Sequence, residues 1–153
     1  MKNFDYDYFA KLKPLSNFDI LNNKKGIKYF RGVFMRDNLP SKPRINECGI
    51  INLDSVQNSG THWVCYFIGK QCYYFDSFGL FPPDEVKKYL LSSAQLLTSK
   101  NYILSSTFVL QEFNTSYCGY ICLYVLQNLS KGFKYEDIIF NLVENFNLVK
   151  TLG

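Results

Sequence analysis

Apolar residues along the 153-residue chain follow two rhythms. From 48 to 76 they come in short β-branched and aromatic runs, CGIINL (48–53), HWVCYFI (62–68) and CYYFD (72–76), the pattern of strands buried in a sheet. Gly69-Lys70-Gln71 separates the last two runs, and three residues containing glycine between such runs predict a hairpin. The run TFVLQEF (107–113) predicts a further strand. A helical rhythm governs the rest. LSNFDILNNKKGI offers Ser16 or Asn17 as N-cap of a short helix closed by Gly26. IKYFRGVFMRDNLPSKPR is apolar and then turn-rich, with Pro40 and Pro43 marking a loop. After Pro82-Pro83 a helix begins with Asp84 and Glu85 in its first turn, where the helix dipole favours acids.

From 118 to 129, Cys118, Ile121, Cys122, Val125, Leu126 and Leu129 recur at helical spacing, and Tyr120, Leu123 and Tyr124 make that helix apolar nearly all round. Such a helix belongs in the middle of a fold. A last helix, about 135–149, carries Ile138, Ile139, Leu142, Val143 and Phe146 on one stripe. Strands and helices mix without strict alternation, so the expected class is α+β, in a single domain over 1–153.

Composition narrows the function classes. No run of about 18 apolar residues is present, so no membrane span is expected. MKNFDYDYFAK has acids and no apolar core, unlike a secretory signal. The five cysteines (48, 65, 72, 118 and 122) include no Cys-x-x-Cys pair, and a single histidine is too few for the usual zinc sets. An odd number of thiols without a signal points to reduced cysteines inside a cell. The net charge of +4 is uneven: residues 1–50 hold ten Lys/Arg against five Asp/Glu, and the remainder seven against eight. Lys24, Lys25, Lys28, Arg31 and Arg36 form either a solvated surface or a face for nucleic acid.

The segment NTSYCGYICLYVLQNL (114–129) places a thiol at the entrance of the buried helix. Asn114, Thr115 and Ser116 are all good caps, which puts Cys118 in the first turn, where free N–H groups favour a thiolate. Gly119 beside it leaves room for a substrate backbone. A buried structural cysteine is the plainer alternative. His62, in GTHW, is either incidental or a base. If the three-residue loop pairs Ile68 with Cys72, then Tyr66 faces Tyr74, Val64 faces Asp76 and His62 faces Phe78. The odd loop length then puts His62 and Asp76 on one face as diagonal neighbours. The carboxylate would accept the Nδ1 proton and leave Nε2 for the thiol. Asp76 also reads as an ordinary turn residue. Gln111, seven residues before Cys118, is either a strand-end polar residue or an oxyanion donor acting with the Cys118 N–H.

Taken together, GTHW, YYFDSFG and Gln-x6-Cys-Gly, with LSNFDI, GVFMRDNLP, CGIINLD and CGYICLYVLQNL around them, resemble the adenovirus-type (adenain-like) cysteine endopeptidases. The versions carried by virophages and by Polinton (Maverick) transposons are particularly similar, and the ubiquitin-like-protein proteases more distantly. The resemblance implies a papain-like α+β fold: a central mixed sheet packed against helices, with the nucleophile at the N-terminus of a buried helix. It matches His62 to the base, Asp76 to the orienting acid, Gln111 to the oxyanion donor and Cys118 to the nucleophile. Trp63 and Gly119 fall at substrate-binding positions. It implies a thiol protease that cuts viral capsid precursors during virion maturation, in the virion and the infected cell, whether in a cytoplasmic factory or a nucleus. No cofactor is required by the sequence; DNA, through the basic first third, or an activating viral peptide is implied only by resemblance. A monomer with no membrane association is expected. Two alternatives stand beside this: a protease of ubiquitin-like modifiers, and a non-enzymatic DNA-binding or scaffold relic of the fold.

Overall fold

A computed structural model describes residues 13–54, 62–93, 102–110 and 117–152, with side chains as far as residue 145. In chain order the elements are α1 (Asn17–Asn22), β1 (Phe30–Met35), β2 (Glu47–Asn52), β3 (Trp63–Ile68), β4 (Cys72–Phe75), α2 (Asp84–Leu91), β5 (Ile103–Ser105), α3 (Cys118–Ser130) and α4 (Tyr135–Leu152). The strands form one mixed sheet in the order β1-β2-β3-β4-β5. Both outer pairs are parallel, and both pairs involving β3 are antiparallel.

Side-chain alternation sends the sheet into two cores. Cys48, Ile50, Cys65 and Phe75 pack with Ile121, Cys122, Val125 and Leu126 of α3 and with Ile138 and Leu142 of α4. Ile51, Val64, Tyr66, Ile68, Cys72 and Tyr74 point the other way, onto Val86, Tyr89 and Leu90 of α2. A sheet covered on both faces needs apolar residues at successive positions, which is why β2 is buried along its whole length. The nearly all-round apolar α3 lies against β3, as its pattern predicts. Truncating fully buried Leu126 to alanine would cost about 2–5 kcal/mol.

Local signals account for most boundaries. Ser16 caps α1 in a reciprocal box with Asp19, whose carboxylate accepts from the Ser16 amide at 2.9 Å. The hairpin has the register expected from its loop, with Ile68 opposite Cys72 and Tyr66 opposite Tyr74. The strand expected over 107–113 is not there: 106–110 carries no regular element, 111–113 lies outside the described residues, and the fifth strand is Ile103–Ser105. The cause lies in β4. Its parallel ladder with β5 covers only Cys72–Tyr74. The chain then turns at Asp76–Gly79, leaving 106–110 without a partner strand. The backbone bond from Leu110 N–H to Ser77 O, at 2.8 Å, ties the two segments. Gly79 makes that turn possible. Its φ is +73°, and a Cβ there would lie 2.7 Å from the Thr107 carbonyl oxygen.

Arg31 is not part of a solvated basic face. Its guanidinium donates to buried Glu47 at 2.8 Å and to the Lys42 carbonyl at 2.6 Å. Lys24, Lys25 and Lys28 do remain exposed.

Candidate active site

The hairpin and α3 meet at the ends of β3 and β4. The last paired residues of the hairpin are Cys65 and Phe75, so His62 and Asp76 lie just beyond the ladder. There, His62 Nε2 is 2.6 Å from Asp76 Oδ1, and both residues are buried. The same oxygen accepts the Phe78 amide at 2.8 Å, which fixes the carboxylate's direction. The Phe78 ring stacks on the imidazole, with centroids 4.0 Å apart and planes 12° from parallel. The shared face of His62 and Asp76 and the approach of Phe78 follow the sequence register.

The nitrogen assignment is the reverse of the expected one. Nε2, the atom farther from the backbone, reaches across the hairpin to Asp76. Nδ1 is thereby left for the sulfur, and it makes no hydrogen bond among the described residues. Cys118 nonetheless lies near enough to favour the protonated imidazole. Burial works against that charge, but the Asp76 hydrogen bond, the Cys118 contact and the charges of both groups outweigh it. The imidazole pKa is raised from 6.5 to about 9.

Cys118 opens α3 and is only 5% exposed. Its sulfur accepts the backbone N–H of Trp63 at 3.4 Å, a contact that pins the helix start to the residue following the histidine. Cys118 lies in the first turn as expected; the N-cap position is Tyr117, whose own side chain makes no capping hydrogen bond, and Asn114, Thr115 and Ser116, the expected caps, lie outside the described residues. The Tyr117 ring belongs to the core instead. Gln111 also lies outside the described residues.

Trp63 and Gly119 sit beside the sulfur, but the room at Gly119 is used by the protein itself. A Cβ there would lie 3.2 Å from Leu15 Cδ1 and 3.2 Å from Trp63 Cδ1. The Trp63 indole N–H donates to the Leu15 carbonyl at 3.0 Å, and the Tyr120 hydroxyl donates to the Lys13 carbonyl at 2.9 Å. Lys13–Leu15 is therefore fastened across the first turn of α3. Sequence reasoning missed Leu15 and Tyr120, whose partners are 48 and 107 residues away and follow no periodic signal.

All five cysteines are free. Among the described residues, no three His, Cys, Asp or Glu side chains are arranged to hold a metal ion, and no helix is long and apolar enough to cross a membrane. In chemical terms the site offers a thiol, an imidazole held by a carboxylate, and backbone N–H groups at a helix start.

No family model matches the chain, and no curated protein matches it. Among solved structures it is similar to the ASFV pS273R protease, with a TM-score of 0.62 and 18% identity over 86% of this chain. That match spans 62% of the protease, so the chain covers less than two thirds of its length. The selenomethionine form of the same protease matches 64% of this chain and 39% of its own, with 24% identity and a TM-score of 0.49. At 18% identity the likeness is one of fold: a mixed sheet with helices, in the α+β arrangement of the papain-like, adenain-type proteases.

Proposed function

We propose that this protein is a cysteine endopeptidase in which Cys118 is the nucleophile, His62 the acid–base group and Asp76 the group that orients it. The observation that carries the proposal is the meeting of hairpin and helix: His62 bonds Asp76 at 2.6 Å, while the next residue's N–H reaches the Cys118 sulfur at 3.4 Å. The fold likeness to a protease supports it.

The chemistry follows from the geometry. In the reactive pair the thiol proton resides on His62 Nδ1, and the sulfur adds to the scissile carbonyl carbon as the C=O electron pair moves onto oxygen. The Cys118 N–H, with Gln111 as the sequence motif assigns it, holds that oxyanion. As the C–N bond breaks, the imidazolium passes its proton to the leaving amine. Water then adds to the thioester, giving its proton to His62, and the carboxylic acid leaves as the sulfur departs and is reprotonated.

By resemblance, the substrates would be capsid precursors cut during virion maturation, in a protease of the virophage and Polinton kind acting in the infected cell and virion. Exposed Lys24, Lys25 and Lys28 would supply the surface for DNA if DNA activates the enzyme. The test is mass spectrometry of a coexpressed capsid precursor. New termini made by wild type and absent with Cys118→Ala are expected. The same termini in both would end the proposal.

A further inference from the structure

The chain carries one short pattern twice, Lys25-Gly26-Ile27-Lys28-Tyr29 and Lys131-Gly132-Phe133-Lys134-Tyr135. Each copy follows a helix, α1 or α3, and each turns on a glycine with positive φ, +83° at Gly26 and +89° at Gly132. The fold sets the two turns side by side: the Lys28 amide donates to the Ser130 hydroxyl at 2.9 Å. Strand register puts them at the end of the sheet away from the candidate site. Phe30 is level with Cys48 and Cys48 with Phe67, near the close of β3, whereas His62 precedes its start. The length of β3 separates those ends by roughly 20 Å. The hairpin tip, with exposed Lys70, closes the same end.

What gathers there is cationic with apolar tips. Lys24, Lys25, Lys28, Lys131 and Lys134 are exposed, as are Tyr29 (59%) and Phe133 (36%). Against them stand Glu136 and Asp137 in the first turn of α4, while Asp19 on α1 is committed to the Ser16 cap. Two of these residues break local rules. Tyr29 has φ +60°, the only positive value at a non-glycine among the described residues, yet its ring is left in solvent. Lys134 immediately precedes α4, whose amino end disfavours a cation. Neither placement stabilises the fold, and such violations gather where a surface has a task.

We propose that the paired lysine–glycine turns form a docking surface for an anionic lipid membrane. Ammonium groups meet the headgroup charge while exposed aromatic rings enter the headgroup layer. Arginine, which nucleic-acid surfaces favour for its bidentate reach to phosphate, is absent from both turns. Docked this way, the protein holds its His62–Cys118 end away from the lipid, facing water. The proposal revises the sequence expectation of no membrane association, which rested on the lack of a spanning segment. It stands independently of whether Cys118 is a nucleophile.

The test is co-sedimentation of the full chain with vesicles of equimolar phosphatidylserine and phosphatidylcholine, and with vesicles of phosphatidylcholine alone. Binding to the mixed vesicles only, weakening as salt rises, is expected. Each lysine at such a surface contributes about 5-fold, so Lys25→Gln with Lys131→Gln should weaken binding by roughly 25-fold. Tyr29→Gly accepts the positive φ and removes the ring, so binding should fall several-fold while the unfolding midpoint does not drop. Lys87→Gln, on exposed α2 across the sheet from α3, should bind as wild type does. The proposal is overturned if the protein sediments with neither vesicle, or if Lys87→Gln costs as much as the paired change. It is equally overturned if the paired change abolishes binding to a short DNA duplex, read by fluorescence anisotropy, and leaves vesicle binding intact.

Discussion

Glu47 and Asp76 are both buried carboxylates on the same sheet, one at the start of β2 and one just past the end of β4. Their surroundings differ in kind. Glu47 Oε1 accepts from Arg31 at 2.8 Å and from the Arg44 amide at 2.6 Å, while Oε2 accepts from Tyr66 at 2.5 Å and from Tyr89 at 2.6 Å. Asp76 directs both of its bonds to Oδ1, and buried Oδ2 has no partner among the described residues. A carboxylate with four donors, one of them a guanidinium, is saturated, so it fixes structure and has nothing left to exchange. A carboxylate with one idle oxygen, joined to an imidazole that itself has an idle nitrogen, retains capacity for a proton in motion. The two acids differ in saturation: Glu47 is bonded through both oxygens, Asp76 through Oδ1 among the described residues.

The largest effect should come from breaking the saturated site. Glu47→Ala leaves Arg31 partly buried with no counter-charge and two tyrosine hydroxyls with nothing to donate to. The expected loss is about 3–5 kcal/mol, read by chemical denaturation. Burial pushes the Glu47 carboxyl up, but its hydrogen bonds from Tyr66, Tyr89, the Arg44 amide and Arg31 bring the pKa below 4.5. Its contribution is therefore present above about 4.5 and disappears only as pH falls through the lowered value. Wild type should lose stability in acid, and Glu47→Ala should be flatter there. A wild-type-like midpoint in the variant would mean that the network contributes nothing.

Little of this was legible in the sequence. Glu47 stands in INECGI as an ordinary charge before a strand, and its partners come from positions 31, 44, 66 and 89. Only tertiary packing joins them. The His62–Asp76 pair was legible because an odd hairpin loop fixes parity, a purely local rule. The same rule failed to tell which nitrogen faces which partner, since that depends on side-chain reach past the end of the ladder. The apolar run from 107 looked like a strand because pattern alone cannot show that β4 has already turned away. Leu15 escaped notice for a related reason: it is anchored by side chains far along the chain.

Next in size is the effect of the incomplete site on pH. The His62 pKa is raised from 6.5 to about 9, so its stabilisation is full below about 6.5 and is lost as pH rises through about 9. Wild type should lose on the order of 3 kcal/mol across that window, whereas Asp76→Asn should lose far less. Peptide cleavage should fall by about two to four orders of magnitude in Asp76→Asn, because the base loses the group that orients it. Its remaining activity should decline at lower pH than that of wild type. The difference between the two unfolding curves, plotted against pH, isolates the pair. A constant difference from 6 to 10 would contradict the assignment of the raised pKa to this contact.

Phe78 sharpens the comparison at its smallest scale, because the tyrosines around Glu47 act through hydroxyls while Phe78 has only a ring face to offer. At 4.0 Å and 12° that face lies flat on the imidazole, which favours the cation and restricts ring rotation away from Cys118. Phe78→Leu keeps the bulk and removes the π-face, a change worth about 0.5–1.5 kcal/mol. That corresponds to a His62 pKa lower by up to about one unit, a smaller drop than Asp76→Asn should produce. The chain has one histidine, so its ring protons can be followed by NMR titration without assignment work. If the Phe78→Leu titration superimposes on wild type, the ring is only filling space, and the imidazolium is sustained by Asp76 and the sulfur alone.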